Sequence, residues 1–206
     1  NFYDGSWDSQ KCIPYSIFIS QGDYPIKGLH FMLQAMPRIL EKFPDTTVWV
    51  SGNNVTKIST LKEKIKISAY GKYLKKLLKE NRLQDKVHFL GKLNAEEMKQ
   101  RFLKSHLYVC PSAIENSPNS LGEAMILGVP AIASDAGGIS SIFVDKEDGI
   151  LFEMGNCDAL AESVIYMFSN PDKMEEYSHR AKNHAKDTHN PDKNYKRLLE
   201  IYQEIV

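Results

Sequence analysis

The chain has 206 residues, room for one large domain with a real core, and its 42% hydrophobic and 25% charged content excludes the disordered and fibrous classes. Lys plus Arg and Asp plus Glu both number 26, so no basic field argues for nucleic acid and no polybasic cluster for an anionic membrane surface. Cys12, Cys110 and Cys157 are odd in number and lack CxxC spacing, which speaks against a disulfide framework and against a zinc site.

The cytoplasm, a reducing compartment, fits that cysteine usage. No apolar run approaches the ~20 residues that span a bilayer, and the chain opens at Asn1 without a signal peptide. Residues 1–14 show little periodicity and are expected to be a connector from a domain outside the chain. From Tyr15 onward, short apolar runs alternate with longer helical patterns, the mark of a parallel α/β sheet covered by helices on both faces. Strands are expected at 16–20, 47–51, 86–90, 107–111, 131–134 and 150–152. Leu29, Met32, Leu33, Met36, Ile39, Leu40 and Phe43 recur at helical spacing, and Pro37 is expected to kink that helix. The Lys-rich stretch 57–81 carries an amphipathic stripe of Tyr70, Tyr73, Leu74, Leu77 and Leu78 and reads as a solvated helix. Met98, Phe102 and Leu103 mark a shorter one. Helices at 158–168, 172–186 and 192–206 show no catalytic spacing and are expected to cover the sheet, with the domain proper at 15–185 and a C-terminal helix at 186–206.

Ligands of open parallel sheets bind at the carboxyl ends of the strands, where helix N-termini offer free N–H groups and positive dipole ends. The most informative such loop follows the strand near Pro111. There Ser117 is placed to N-cap a helix over 118–127, Pro118 suits its first position, and Gly128 suits its end. The amides of Asn119 and Ser120 then point out of the helix start with the Ser120 hydroxyl beside them, a site for a phosphate. Glu115 before the helix and Glu123 inside it flank that site. A carboxylate accepting two hydroxyl protons suits a ribose or hexose diol, and the apolar neighbours of Glu123 set it apart from a solvated acid. The histidines are scattered without metal spacing, and none is expected to be a ligand.

The run Glu115-x7-Glu123, continuing into Ala-Met-Ile-Leu-Gly-Val-Pro-Ala-Ile-Ala-Ser-Asp-Ala-Gly-Gly, resembles the donor-binding C-terminal domain of the retaining GT-B glycosyltransferases (glycosyl transferases group 1, family 4). The resemblance covers about 16–185 and implies a Rossmann-like parallel sheet with helices on both faces. It implies that Glu115 contacts sugar hydroxyls, Glu123 holds the ribose diol, and the loop of Asn116, Ser117, Asn119 and Ser120 binds diphosphate through its amides. The family's loop after the first strand carries a Gly-Arg pair and later a Lys-Gly pair whose cations grip the diphosphate. Here Lys27-Gly28 match, so Lys27 is expected to take that role, while Gln21 stands where Arg is common and, with Gly22, is expected to contact the ligand. In Phe89-Leu90-Gly91-Lys92-Leu93 the resemblance implies base contact by Lys92 or Leu93, whereas a Gly after a strand, taken alone, reads as a turn. Gly137-Gly138 reads as support for the cleft.

The implied activity is retaining hexosyl transfer from a nucleoside-diphosphate sugar, a UDP-sugar being the commonest donor, with no metal or other cofactor. Surface polysaccharide or glycoconjugate synthesis is the implied setting. The acceptor, a saccharide or lipid-linked glycan, would be presented by an N-terminal domain that also sets any docking to the inner membrane face, and the present chain alone would be inactive. A GT-B phosphorylase or nucleotide-sugar epimerase would share the anion site but not the Glu-x7-Glu-to-Gly-Val-Pro run. A binding module without turnover would not need both acids and Lys27.

Overall fold

The structure, a computed structural model, describes residues 4–57 and 68–205. The expected solvated stretch at 58–67, residues 1–3 of the expected connector and residue 206 lie outside the described residues. Strands β1 (Ile13–Ile19), β2 (Thr47–Ser51), β3 (Val87–Gly91), β4 (Ser105–Cys110), β5 (Ala131–Asp135) and β6 (Gly149–Glu153) form a six-stranded sheet in the order β3-β2-β1-β4-β5-β6. Every neighbouring pair is parallel. The helices between and after them are α1 (Leu29–Lys42), α2 (Ala69–Glu80), α3 (Ala95–Lys104), α4 (Asn119–Leu127), α5 (Cys157–Ser169), α6 (Pro171–Thr188) and α7 (Pro191–Ile205).

Successive strand residues point to opposite faces, and both faces are buried here. Ile17, Ile19, Leu107, Val109 and Ile132 enter one core with the apolar stripes of α1, α2 and α5. Phe18, Tyr108, Cys110, Ala131 and Ala133 enter the other with Phe102 of α3 and Leu121, Ala124 and Met125 of α4. The fold is therefore the expected Rossmann-like sheet with helices on both faces.

Two expectations need revision. Residues before Tyr15 are not only a connector, because Trp7 and Cys12 are core residues and β1 already starts at Ile13. The Trp7 amide donates to the Leu127 carbonyl and its indole N–H to the Ser105 carbonyl, both at 2.8 Å. One large anchor leaves no periodic trace in a sequence. At the other end, α6 supplies Met174, Tyr177, Ala181 and Ala185 to the two cores and runs on to Thr188, whereas none of the described residues of α7 is buried. The last helix thus does not cover the sheet: its stripe of Tyr195, Leu198, Leu199 and Tyr202 is exposed.

Pro37 lies inside α1, which runs on through it. Proline has no N–H for the Leu33 carbonyl four residues back, and Asn81 Nδ2 supplies that donor from the end of α2 at 3.1 Å. Asn81→Ala is accordingly expected to cost about 1–3 kcal/mol of stability in urea denaturation, the range for leaving a buried acceptor unmet. An unchanged midpoint would mean that this carbonyl needs no protein partner.

Candidate functional site

The strand order reverses direction between β1 and β4, so the loops after these two strands diverge and leave a crevice at the carboxyl end of the sheet. A cleft of about 650 Å3 lies there, with walls from the loops after β1, β2, β3 and β4 and from the start of α4. Gln21, Lys27, Lys92, Leu93, Glu115, Ser117, Asn119, Ser120 and Glu123 all line it. Residues up to 102 positions apart are thus brought to one place.

Gly22 and Asn116, also expected to contact the ligand, are not among its lining residues. The Gly22 amide donates to the Ser51 carbonyl at 2.9 Å, and a Cβ there would overlap Val50, so this glycine packs the loop and has no amide to offer. Asn116 turns its carbonyl toward Gly138, where a Cβ would overlap it.

Lys27 sits in a short helical turn, Pro25–Lys27, closed by Gly28 at φ 74. A side chain at Gly28 would overlap the Pro111 carbonyl, and the Ala113 amide donates to the Ile26 carbonyl at 2.7 Å. This is the physical reason for glycine after the lysine: left-handed backbone pressed on the neighbouring loop. The contact brings Lys27 Nζ to 2.5 Å from Glu115 Oε1, with side chains 20% and 9% exposed. Ser112 Oγ donates to the same oxygen at 2.8 Å. Glu115 is therefore held through Oε1 and keeps Oε2 for a ligand hydroxyl, while the ammonium has further N–H donors for a phosphate.

Behind Glu115, the Gly138 amide donates to the Glu115 carbonyl at 2.9 Å, and a Cβ on Gly137 would overlap that same carbonyl. The paired glycines support the cleft by letting the loop after β5 press on the Glu115 backbone.

Helix α4 begins at Asn119, one residue later than expected, because Pro118 adopts extended backbone and is the N-cap. The Ser117 hydroxyl makes no cap, and among the described residues nothing accepts from the amides of Asn119 and Ser120. Free amides at a helix start, with the positive dipole end, favour an anion. Glu123, one turn further on, is half-buried with no hydrogen-bond partner among the described residues, and burial raises its pKa above the ordinary carboxylate value. A desolvated acceptor facing a cleft suits a ligand diol.

Sequence reasoning misses Ser20, Asp23, Asn53 and Tyr108. Asn53 Nδ2 donates to Asp23 Oδ2 at 2.9 Å and the Gln21 amide to Ser51 Oγ at 3.2 Å, which ties the loop after β1 to that after β2. Asp23, Glu115 and Glu123 outnumber Lys27 and Lys92 along the cleft, so attraction for an anion has to come from oriented amides and from Lys27 rather than from net charge. The only sequence signal for Asp23 and Asn53 is position just after a strand.

The profile of the Glycosyl transferases group 1 family matches residues 9–185. The chain belongs to this family. It is 26% identical over 199 residues to an uncharacterised glycosyltransferase of Methanocaldococcus jannaschii, covering 97% of this chain and 46% of that protein. The chain thus spans about half the length of the relatives it matches. Its fold is that of the HepE protein of Anabaena in complex with UDP, with TM-score 0.78 and 20% identity, over 93% of this chain and 49% of that one. It is also that of the C-terminal domain of a group 1 glycosyl transferase from Francisella tularensis, with TM-score 0.69 and 23% identity, over 89% and 90% of the two chains. No helix among the described residues is long and apolar enough to cross a membrane.

Proposed function

We propose that this group 1 glycosyltransferase domain binds a nucleoside-diphosphate sugar in the β1/β4 cleft and holds it for retaining hexosyl transfer. The observation that carries the reading is the convergence, in one cleft, of the Lys27–Glu115 pair, the free amides of Asn119 and Ser120, and the unpartnered Glu123 carboxylate. Glu123 takes the ribose diol, the α4 amides and Lys27 take the diphosphate, and Glu115 Oε2 takes sugar hydroxyls. Lys92 and Leu93 contact the base. UDP is the favoured nucleotide, because two of the solved structures that share the fold, HepE and TarM, hold UDP.

As the glycosidic bond to the donor breaks, negative charge grows on the leaving diphosphate, and preorganised amides with a lysine stabilise it without rearranging. Placing donor and acceptor together supplies much of the remaining rate. The acceptor, a saccharide or lipid-linked glycan, belongs to the part of the protein beyond this half, and the 206-residue chain by itself is expected to bind donor and transfer nothing. No metal ion is needed for this scheme. Surface polysaccharide or glycoconjugate synthesis at the cytoplasmic side is the setting that fits such a donor.

Calorimetry with UDP and with a panel of UDP-hexoses tests this. Glu123→Ala should lose about 1.5–3 kcal/mol of UDP affinity, the range for hydrogen bonds to a charged group. The same variant should be as stable as the parent or more so, because the folded state no longer holds a desolvated carboxylate with a raised pKa. The ionised form is the acceptor, so parental affinity should fall as pH drops through the raised pKa, and Glu123→Ala should remove that step. UDP binding by the variant equal to the parent's would remove Glu123 from the site.

A further inference from the structure

Beneath the start of α4, three hydroxyls from separate elements meet. Tyr108 Oη of β4 lies 2.8 Å from Ser120 Oγ, Ser20 Oγ at the end of β1 lies 3.0 Å from Ser120 Oγ, and the Ser20 and Tyr108 oxygens are 2.9 Å apart. Tyr108 is 1% exposed and its ring packs edge-on against Phe102 at 5.1 Å, with Phe18 at 5.9 Å. Most side-chain hydrogen bonds go to backbone or water rather than to other side chains. Here the Tyr108 hydroxyl is spent on a side chain at the cleft, and its partners Ser20 and Ser120 both line that cleft.

Proton counting gives the triangle a direction. A serine hydroxyl has one proton and two lone pairs. Ser120 Oγ is the acceptor in both of its contacts, from Tyr108 and from Ser20, and the donor in neither; those two hydroxyls have one proton each, so the Ser20–Tyr108 contact is a hydrogen bond only when one of them turns its proton there instead. In every such arrangement the Ser120 proton is unused inside the triangle and must leave it. Ser120 is the second residue of α4, so the carbonyl four residues back belongs to Asn116, outside the helix. The open side is the cleft, next to the free amides of Asn119 and Ser120. Burial lifts the Tyr108 pKa well above its ordinary value, so the phenol stays a donor at every working pH.

We infer that Tyr108 is a buried positioning residue which, together with Ser20, fixes the Ser120 hydroxyl as a donor to the phosphates of the bound nucleotide. This rests on the donor-site reading above and deepens it. Tyr108 touches no ligand; it acts through Ser120. The triangle also ties the loop that carries Lys27 to the helix start that binds the same anion, so both sides of the diphosphate site keep one spacing.

The test is calorimetry of the 206-residue chain with UDP and with uridine, which lacks the phosphates. Ser120→Ala should weaken UDP binding about tenfold, and Tyr108→Phe, which keeps the ring in place, about three- to tenfold, in line with one charge-assisted hydrogen bond lost or misdirected. Uridine binding should be unchanged in both. Tyr108→Phe in the Ser120→Ala background should cost nothing more, because the positioned group is already gone. Equal loss of UDP and uridine, or additive losses in the double variant, would make Tyr108 a general support of the fold and overturn the inference, as would Tyr108→Phe binding UDP like the parent. Parent protein that binds no UDP at all would instead overturn the donor-site reading, and this inference with it. Near-ultraviolet circular dichroism of each variant separates misfolding from misdirection, and Ser20→Ala, which leaves the core intact, should repeat the UDP-selective loss if Tyr108→Phe fails to fold.

Discussion

Lys27→Ala should lower UDP affinity by about 10- to 100-fold, a loss of about 1.5–3 kcal/mol for a charge-assisted contact, and leave uridine binding nearly unchanged. The same substitution should cost stability, because it leaves Glu115, with a side chain only 9% exposed, without its cation. A fully buried pair broken in this way costs about 3–5 kcal/mol, and the partial exposure of Lys27 places the expected loss near 1–3 kcal/mol. Adding Glu115→Gln to Lys27→Ala should return most of that stability, since a neutral amide needs no counter-charge, yet it should not return UDP affinity. Raising ionic strength should weaken UDP binding by the parent, the Debye length shrinking from ~10 Å at 0.1 M to ~3 Å at 1 M, and Lys27→Ala should flatten that slope. Paired calorimetry and urea titrations read both effects. A variant with parental affinity and the same salt slope would leave Lys27 as a partner of Glu115 alone.

The second large effect concerns Gly137. Alanine there must adopt φ 57 and place its Cβ on the Glu115 carbonyl, a backbone atom that cannot rotate aside. Left-handed backbone costs roughly 1–2 kcal/mol for a residue with a Cβ, and overpacking adds about 1–3 kcal/mol. Gly137→Ala should therefore lose about 2–5 kcal/mol and move Glu115, so that UDP-hexose binding suffers more than UDP binding. Gly91 is the control, with φ 77 and nothing within 4 Å of the point where a Cβ would stand. Gly91→Ala should carry the backbone cost alone, about 1–2 kcal/mol. Thermal melts of the two variants compare them directly; equal losses would show that strain at φ, and not the contact with Glu115, governs Gly137.

Much of the architecture is legible in the residues. Unbroken apolar runs such as Ile17-Phe18-Ile19 and Leu107-Tyr108-Val109 report a strand buried on both faces, because side chains that alternate in direction then meet two cores. Five of the six expected strands overlap the observed ones to within about two residues at each end, and β1 extends three residues further toward the N-terminus than expected. The helix start near Pro118 is equally readable, since Pro118, Gly128 and the apolar residues Leu121, Ala124, Met125 and Leu127 between them mark a helix by local chemistry. Glu115 and Glu123 stand out because both lie beside that start.

What the residues do not give are partners chosen by strand order. Lys27 meets Glu115 across 88 positions, and Ser20 meets Ser120 across 100, because β4 lies beside β1 in the sheet. Neither pairing leaves a periodic or local trace. Likewise Asn81 serving the Leu33 carbonyl, Trp7 reaching Ser105, and Gly138 holding the Glu115 backbone are hydrogen bonds between distant segments. Local spacing determines which residues are buried and which helix ends are open, since those depend on a few neighbours along the chain. Which donor finds which acceptor depends on how β1 and β4 are set side by side, and that is decided only when the sheet is assembled.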